Sequence, residues 1–251
     1  MFRAYMYKLL HSPIILISII GVVALCCTNF LTYDFSYGDV VSHMNVFFNI
    51  GVYRKAMTIF AAFPFAANFA DEWSSGITSS CIIRRGIFRY SAANLLFCIF
   101  SSIFTVFIGI MIFSVAYSFF VPIYVPNGNP YTFIFGQYLS SGQGMIFLML
   151  RVLVFSVSCA MWTVMGMLLS ALFPNKYVAI CTPFVASYII ERITIQLPED
   201  LNLWYLSLSL VTFKNDIIGF IYCISVFLII MVLCGLCFIY LLKRRLQNGS
   251  F

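Results

Sequence analysis

Charge is the scarcest property of this sequence. Fourteen Lys and Arg and eight Asp and Glu make up 9% of the 251 residues, against a hydrophobic fraction of 63%. A soluble domain carries about 25% charged and about 45–50% apolar residues, so this complement cannot wet the surface of a globule. Twenty-eight Phe and fifteen Tyr would also find no core large enough to hold them. A water-soluble fold is excluded, and the mean hydropathy of +1.01 marks an integral membrane protein. There is no GxxxxGK[ST] phosphate loop, so nucleotide hydrolysis by such a loop does not belong to this chain. The two His, His11 and His43, fall at or beyond the membrane edges, and no acid sits centrally in an apolar run. Little is left from which to build a membrane-embedded metal centre or acid–base pair.

The net charge of +6 does not point to nucleic acid, because the charges stand between apolar blocks and serve as topology signals. Most of the nine Cys lie inside those blocks and read as buried thiols rather than a disulfide scaffold. Cys234 and Cys237 form a CxxC within a long apolar stretch, with no second pair to complete a metal site. Phe and Ile are abundant and Ala is scarce, a composition associated with AT-rich bacterial genomes.

A membrane-crossing helix needs about 20 mostly apolar residues. Six such segments are expected, over 13–30, 53–70, 92–120, 146–173, 177–190 and 217–242. Pro13 suits a first helical turn, and Cys26-Cys27-Thr28-Asn29 is a poor cleavage site, so the first segment reads as an uncleaved anchor. The second begins with Arg54 and Lys55 at the headgroup level and is interrupted by Pro64 and Asn68; the fifth carries Pro183 in its middle. With the N-terminus inside, the internal segments hold Arg3, Lys8, Arg84, Arg85, Arg89, Lys176, Lys243, Arg244 and Arg245, nine basic residues against five outside. That bias favours both termini in the cytoplasm. The fold class expected is therefore an all-α, polytopic membrane protein with six transmembrane helices.

The longer external loops include a turn at Pro126-Asn127-Gly128 and a stretch over 201–211 that could lie as a short helix at the outer interface, with Trp204 and Tyr205 as belt residues. Only one internal connection has substance, Phe69 to Tyr90. Asp71 and Glu72 open it, Gly76 breaks it, and Arg84, Arg85 and Arg89 close it. Two readings of it are open. The charges can simply mark the membrane surface, or residues 74–85 can form an amphipathic elbow helix held at the interface by Ile77, Ile82 and Ile83. In the second case Asp71 and Glu72 would pair with the nearby arginines and the elbow would dock on a cytoplasmic partner.

This arrangement resembles the permease subunit of ABC-2 type transporters. In that family six helices with both termini inside carry, between helices two and three, an acid followed by Gly and a basic stretch. Glu72, Gly76, Arg84, Arg85, Arg89 and Tyr90 match that pattern, with Asp71 adjoining; Asn94 stands where family members often carry a lysine. The resemblance implies a type V-like permease topology in a bacterial cytoplasmic membrane, with Asp71, Glu72, Gly76, Arg84, Arg85 and Arg89 in the element that contacts a separate ATPase subunit. It further implies ATP and Mg in that partner and no cofactor here, two ATPase copies, a second permease (identical or homologous), a lipid environment and no nucleic-acid partner. Its cargo would be a hydrophobic or amphipathic peptide, drug or lipid-like molecule, in export or in immunity to antimicrobial peptides.

Among the polar residues of the apolar runs, Arg151 either snorkels to the outer interface or faces a path or an external acid such as Glu191. Asn68 and Asn94 read first as interhelical hydrogen-bonders and second as path residues. The Gly166–Ser170 spacing marks close helix packing, within the chain or across a dimer. Two other functions remain in view: a secondary transporter, and a sensor or immunity subunit that binds an ATPase without bulk transport.

Overall fold

A computed structural model of the chain describes residues 5–7, 12–32, 38–125, 134–210 and 215–247. Among these the regular structure is entirely helical, with no strand. The helices are α1 (Pro13–Thr32), α2 (Val40–Asn49), α3 (Gly51–Ala62), α4 (Asn68–Ser74), α5 (Ile77–Arg85), α6 (Ile87–Ser118), α7 (Gln137–Ser140), α8 (Gly144–Leu172), α9 (Lys176–Thr194), α10 (Leu203–Ser207) and α11 (Asp216–Gln247). Three of them, α6, α8 and α11, are long and apolar enough to cross a membrane. Leu228, Ile229, Val232, Leu233 and Leu236 of α11 are exposed, an apolar face that water would not tolerate and lipid would. The chain is a helical membrane protein. The Pro126-Asn127-Gly128 turn, His11, Arg3 and Lys8 lie outside the described residues.

Local chemistry sets several boundaries. Asn175, Asn202 and Asn215 each turn a side-chain oxygen onto the N–H two residues on, at 2.9–3.0 Å, satisfying donors that a helix start leaves open. α8 ends at Phe173, which is extended as a residue before proline must be. α2 is capped by a distant segment: Val40 and Val41 donate to the carbonyls of Pro122 and Ile123, and Val125 donates to Asp39 Oδ2 at 3.2 Å.

α8 is the central helix, buried along most of its length. Three of its buried hydroxyls are satisfied by their own backbone, Ser156 donating to Val152, Thr163 to Cys159 and Ser170 to Met167. Arg245 near the end of α11 donates to the Ala171 carbonyl near the end of α8, while the start of α8 at Gly144 lies against Ile123 and Tyr124, just past the end of α6. α6 and α8 therefore run antiparallel, and α8 and α11 run parallel.

Two expected segments differ from single helices of the expected length. The 53–70 segment is not one helix: α3 stops at Ala62, residues 63–67 form turns, and α4 begins at Asn68. Pro64, without an N–H and with its ring against the preceding turn, explains the break. The 177–190 segment is longer, since α9 continues to Thr194 with Pro183 inside it. Pro183 leaves the Ala179 carbonyl without its usual helical donor, and that carbonyl faces Gly166 of α8. A Cβ on Gly166 would lie 2.5 Å from the Ala179 oxygen and 2.8 Å from the Pro183 ring. The small-residue spacing of α8 thus serves packing within the chain at this position.

Two predictions follow from these contacts. Gly166→Val should destabilise the protein in detergent by about 1–3 kcal/mol through overpacking against backbone, whereas Gly51→Ala, with open space around it, should change stability by no more than about 0.5 kcal/mol. Differential scanning fluorimetry distinguishes them. His43 of α2 is buried against Phe113 and Tyr117, and burial pushes its imidazole pKa below the ordinary value. The unfolded chain therefore binds the proton more readily, so stability is full above the unfolded pKa of about 6.5 and falls as pH drops through it. Melting temperature should decline on acidification from about pH 7 to about pH 5, and His43→Phe should flatten that decline.

Candidate functional site

The connection from Phe69 to Tyr90 folds into α4 and α5, each closed by a glycine. Gly76 has φ +71° and Gly86 φ +81°, values that side-chain-bearing residues rarely adopt, so the nine-residue α5 sits between two sharp turns. The expected elbow over 74–85 is thus a helix over 77–85. Ser74 and Ser75 close α4 by donating to the Asp71 carbonyl at 3.1 and 2.8 Å.

Asp71 and Glu72, adjacent in sequence, go to opposite environments. Asp71 is exposed, while Glu72 is buried, with 8% of its surface accessible. Glu72 Oε2 accepts from Tyr90 Oη at 2.7 Å and from Tyr5 Oη at 3.0 Å, and Oε1 accepts from Asn68 Nδ2 at 2.9 Å. Asn68 Nδ2 also donates to Asn94 Oδ1 at 3.1 Å, and Asn94 Nδ2 donates to Tyr5 Oη at 3.1 Å. The circuit Glu72–Tyr5–Asn94–Asn68 therefore closes on itself. Thr78 of α5 joins it through Tyr90 at 3.3 Å. Burial, and after it the Glu72 carboxylate, holds the Tyr5 phenol protonated far above neutral pH, which keeps it a donor. Charge-assisted bonds of this kind are what allow an anion to leave water.

The expected pairing of Asp71 and Glu72 with the arginines does not occur. Arg84, Arg85 and Arg89 are exposed, and among the described residues both ion pairs involve Glu191. Phenols and amides satisfy Glu72 because they lie on the inner side of the elbow, where the arginines do not reach. Ile77, Ile82 and Ile83 do not act together either: Ile82 is half-buried against the core, but Ile77 and Ile83 point outward, Ile83 with 85% of its surface exposed. With Phe88, also exposed, they give the outer face of the elbow an apolar and cationic character. Gly76 supplies the turn, and Asn68 and Asn94 are hydrogen-bonders of the circuit. On the other flank, the Arg245 guanidinium lies 4.9 Å from the Trp73 ring centroid and Phe69 packs edge-on against Phe238, which fastens the end of α11 to α4.

At the opposite end of the bundle, the structure places other predicted residues differently from expectation. Arg54 and Lys55 do not reach out to headgroups; both are buried and turned to Glu191. Arg151 does not snorkel. It is buried, bonds to Asn45 Oδ1 of α2, and lies 5.2 and 5.9 Å from the rings of Phe48 and Phe147. Its proposed acid, Glu191, is taken by Arg54 and Lys55. Sequence reasoning passed over Tyr5, Thr78 and the Trp73–Arg245 contact; nothing in the spacing of a tyrosine ahead of the first helix marks it as a carboxylate donor. A scan against protein-family models finds no match, and no curated protein and no solved structure matches the chain.

One buried carboxylate ties a short helix, the N-terminal segment and the start of α6 into a single unit. Tyr5→Phe and Glu72→Gln should each cost about 1–3 kcal/mol, and the double variant should cost less than their sum, with a coupling of about 0.5–3 kcal/mol. A thermal-unfolding double-mutant cycle measures it; additive costs would show that the two residues do not share the bond.

Proposed function

We propose that this chain is the transmembrane permease subunit of an ATP-driven transporter of the ABC-2 type, working in a bacterial cytoplasmic membrane. Six membrane crossings are assigned to α1, to α3 with α4, and to α6, α8, α9 and α11, with both termini on the cytoplasmic side. The observation that carries the reading is α5: a short helix set between two positive-φ glycines, fastened inward through Glu72 and presenting Ile83, Arg84 and Arg85 outward, with Phe88 and Arg89 beyond it. Such a face, apolar at its centre and cationic around it, suits an acidic-rimmed groove on a soluble partner.

In this mechanism two ATPase subunits bind ATP and Mg and close on each other. Their closure pushes the elbow of each permease subunit. The Glu72 circuit passes the displacement to the N-terminal segment and to α6 without loss, because a fully bonded buried network is stiff. Access then switches from one membrane face to the other around a path shared with a second permease, identical or homologous. The cargo class is a hydrophobic or amphipathic molecule, and this chain hydrolyses nothing.

The test uses residues that can be changed without disturbing the fold. Arg84→Glu with Arg85→Glu alters exposed side chains and should move stability by less than about 0.5 kcal/mol. When the chain is purified from its native membrane in mild detergent, mass spectrometry should find a soluble P-loop ATPase with the wild type. The double variant should retain at least about tenfold less of it, a loss of about 1.4 kcal/mol in affinity. A chain that purifies without any ATPase would remove the reading.

A further inference from the structure

Away from the elbow, α3, α9 and α10 line a cavity of about 500 Å³ with Arg54, Lys55, Tyr188, Glu191, Arg192 and Trp204 in its wall, open on one side. Its charges do not balance. Arg54 is fully engaged: it pairs with Glu191, donates to Ser207 Oγ at 2.9 Å and lies 5.9 Å from the Trp204 ring centroid. Lys55 is not. Its Nζ is 3.6 Å from Glu191 Oε2, outside hydrogen-bonding length, and otherwise rests 3.4 Å from the centre of the Tyr188 ring. One carboxylate therefore serves two buried cations, and Arg192, exposed one residue further on, adds a third.

A buried ammonium with three donors, whose one carboxylate partner stands at 3.6 Å and is shared with Arg54, is an incomplete site for an anion. The rest of the lining specifies more than charge. Val52 and Ile195 leave apolar surface exposed at the cavity, and the aromatic rings add amphipathic walls. Aromatic and apolar surface beside unneutralised cations fits a molecule with an anionic head and an aliphatic body. A cationic ligand is disfavoured by the excess of positive charge, and a free anion would leave the apolar walls wet.

We propose that this cavity is a binding site for a phosphate-bearing amphiphile, with Lys55 and Arg192 on the phosphoester oxygens and the Tyr188 and Trp204 rings beside the start of the aliphatic chain. Arg54 and Glu191 form the fixed floor, and Lys55 is the residue that selects the charge. This assignment rests on the cavity alone and does not require the permease reading.

The experiment uses the full chain in a neutral maltoside detergent and reads quenching of tryptophan fluorescence by lipid brominated in its acyl chains. The Trp204 signal is taken as the difference between wild type and Trp204→Phe. Brominated phosphatidylglycerol should quench it saturably, and brominated phosphatidylcholine should need at least about tenfold more lipid. Lys55→Gln should weaken phosphatidylglycerol binding by about tenfold or more, and Arg192→Gln, which changes an exposed side chain and leaves the fold alone, by about threefold. Equal quenching by the two lipids, or phosphatidylglycerol binding unchanged in both variants, would overturn the proposal. Full competition by inorganic phosphate at concentrations comparable with the lipid would also overturn it, by showing a site for the free anion instead of the amphiphile.

Discussion

A carboxylate leaves water only when donors stand ready on its lone pairs, and Glu72 fixes where four separate pieces of this chain must meet. Tyr5 comes from ahead of α1, Asn68 from the start of α4, and Tyr90 and Asn94 from the first turns of α6, with Thr78 of α5 one bond away. Remove the anion and Tyr5, Asn68 and Tyr90 each lose the acceptor of a buried donor, a cost that recurs at all three. The elbow is therefore not a loop resting on the bundle. Its inner side is part of the bundle's polar core, and only its outer side is free to be something else.

The two ends of the molecule solve the same electrostatic problem in opposite ways. At the elbow end an anion is surrounded by neutral donors, so the charge is dispersed over phenols and amides and no cation is needed. At the opposite end a carboxylate meets two cations at once, and Arg151 is buried nearby among aromatic rings and Asn45. The first arrangement is saturated and the second carries surplus positive charge. Saturation suits a part that transmits force, and surplus suits a part that binds.

Much of the architecture was legible in the residues, and the reasons are specific. The apolar blocks behind α6, α8 and α11 are long enough that no competing structure can bury them, so their existence and type were plain. Pro64 announced an interruption, and Gly76 a turn. What sequence could not supply was direction. Asp71 and Glu72 look alike and neighbour each other, yet a helix turns by about 100° per residue, and that rotation alone sends one to solvent and the other inward. Arg54 and Lys55 read as headgroup anchors because cations at the end of an apolar run usually are; only the approach of α9 brings Glu191 close enough to turn them in. Tyr5 carried no signal at all, since its partner lies 67 residues away.

The unpaired carbonyl of Ala179 has a wider meaning for α9. With Pro183 giving no hydrogen to it, one rung of the helical ladder is missing where α9 meets Gly166 of α8, ahead of the charged turn at Glu191. Bending stiffness in a helix comes from those rungs, so the two halves of α9 are joined by a compliant joint. A thrust on the Lys176 half need not arrive at Glu191 as the same displacement; it can be absorbed as a change of angle. The half that holds Glu191 is thus mechanically insulated, and the charged cavity can keep its shape while the rest of the bundle moves.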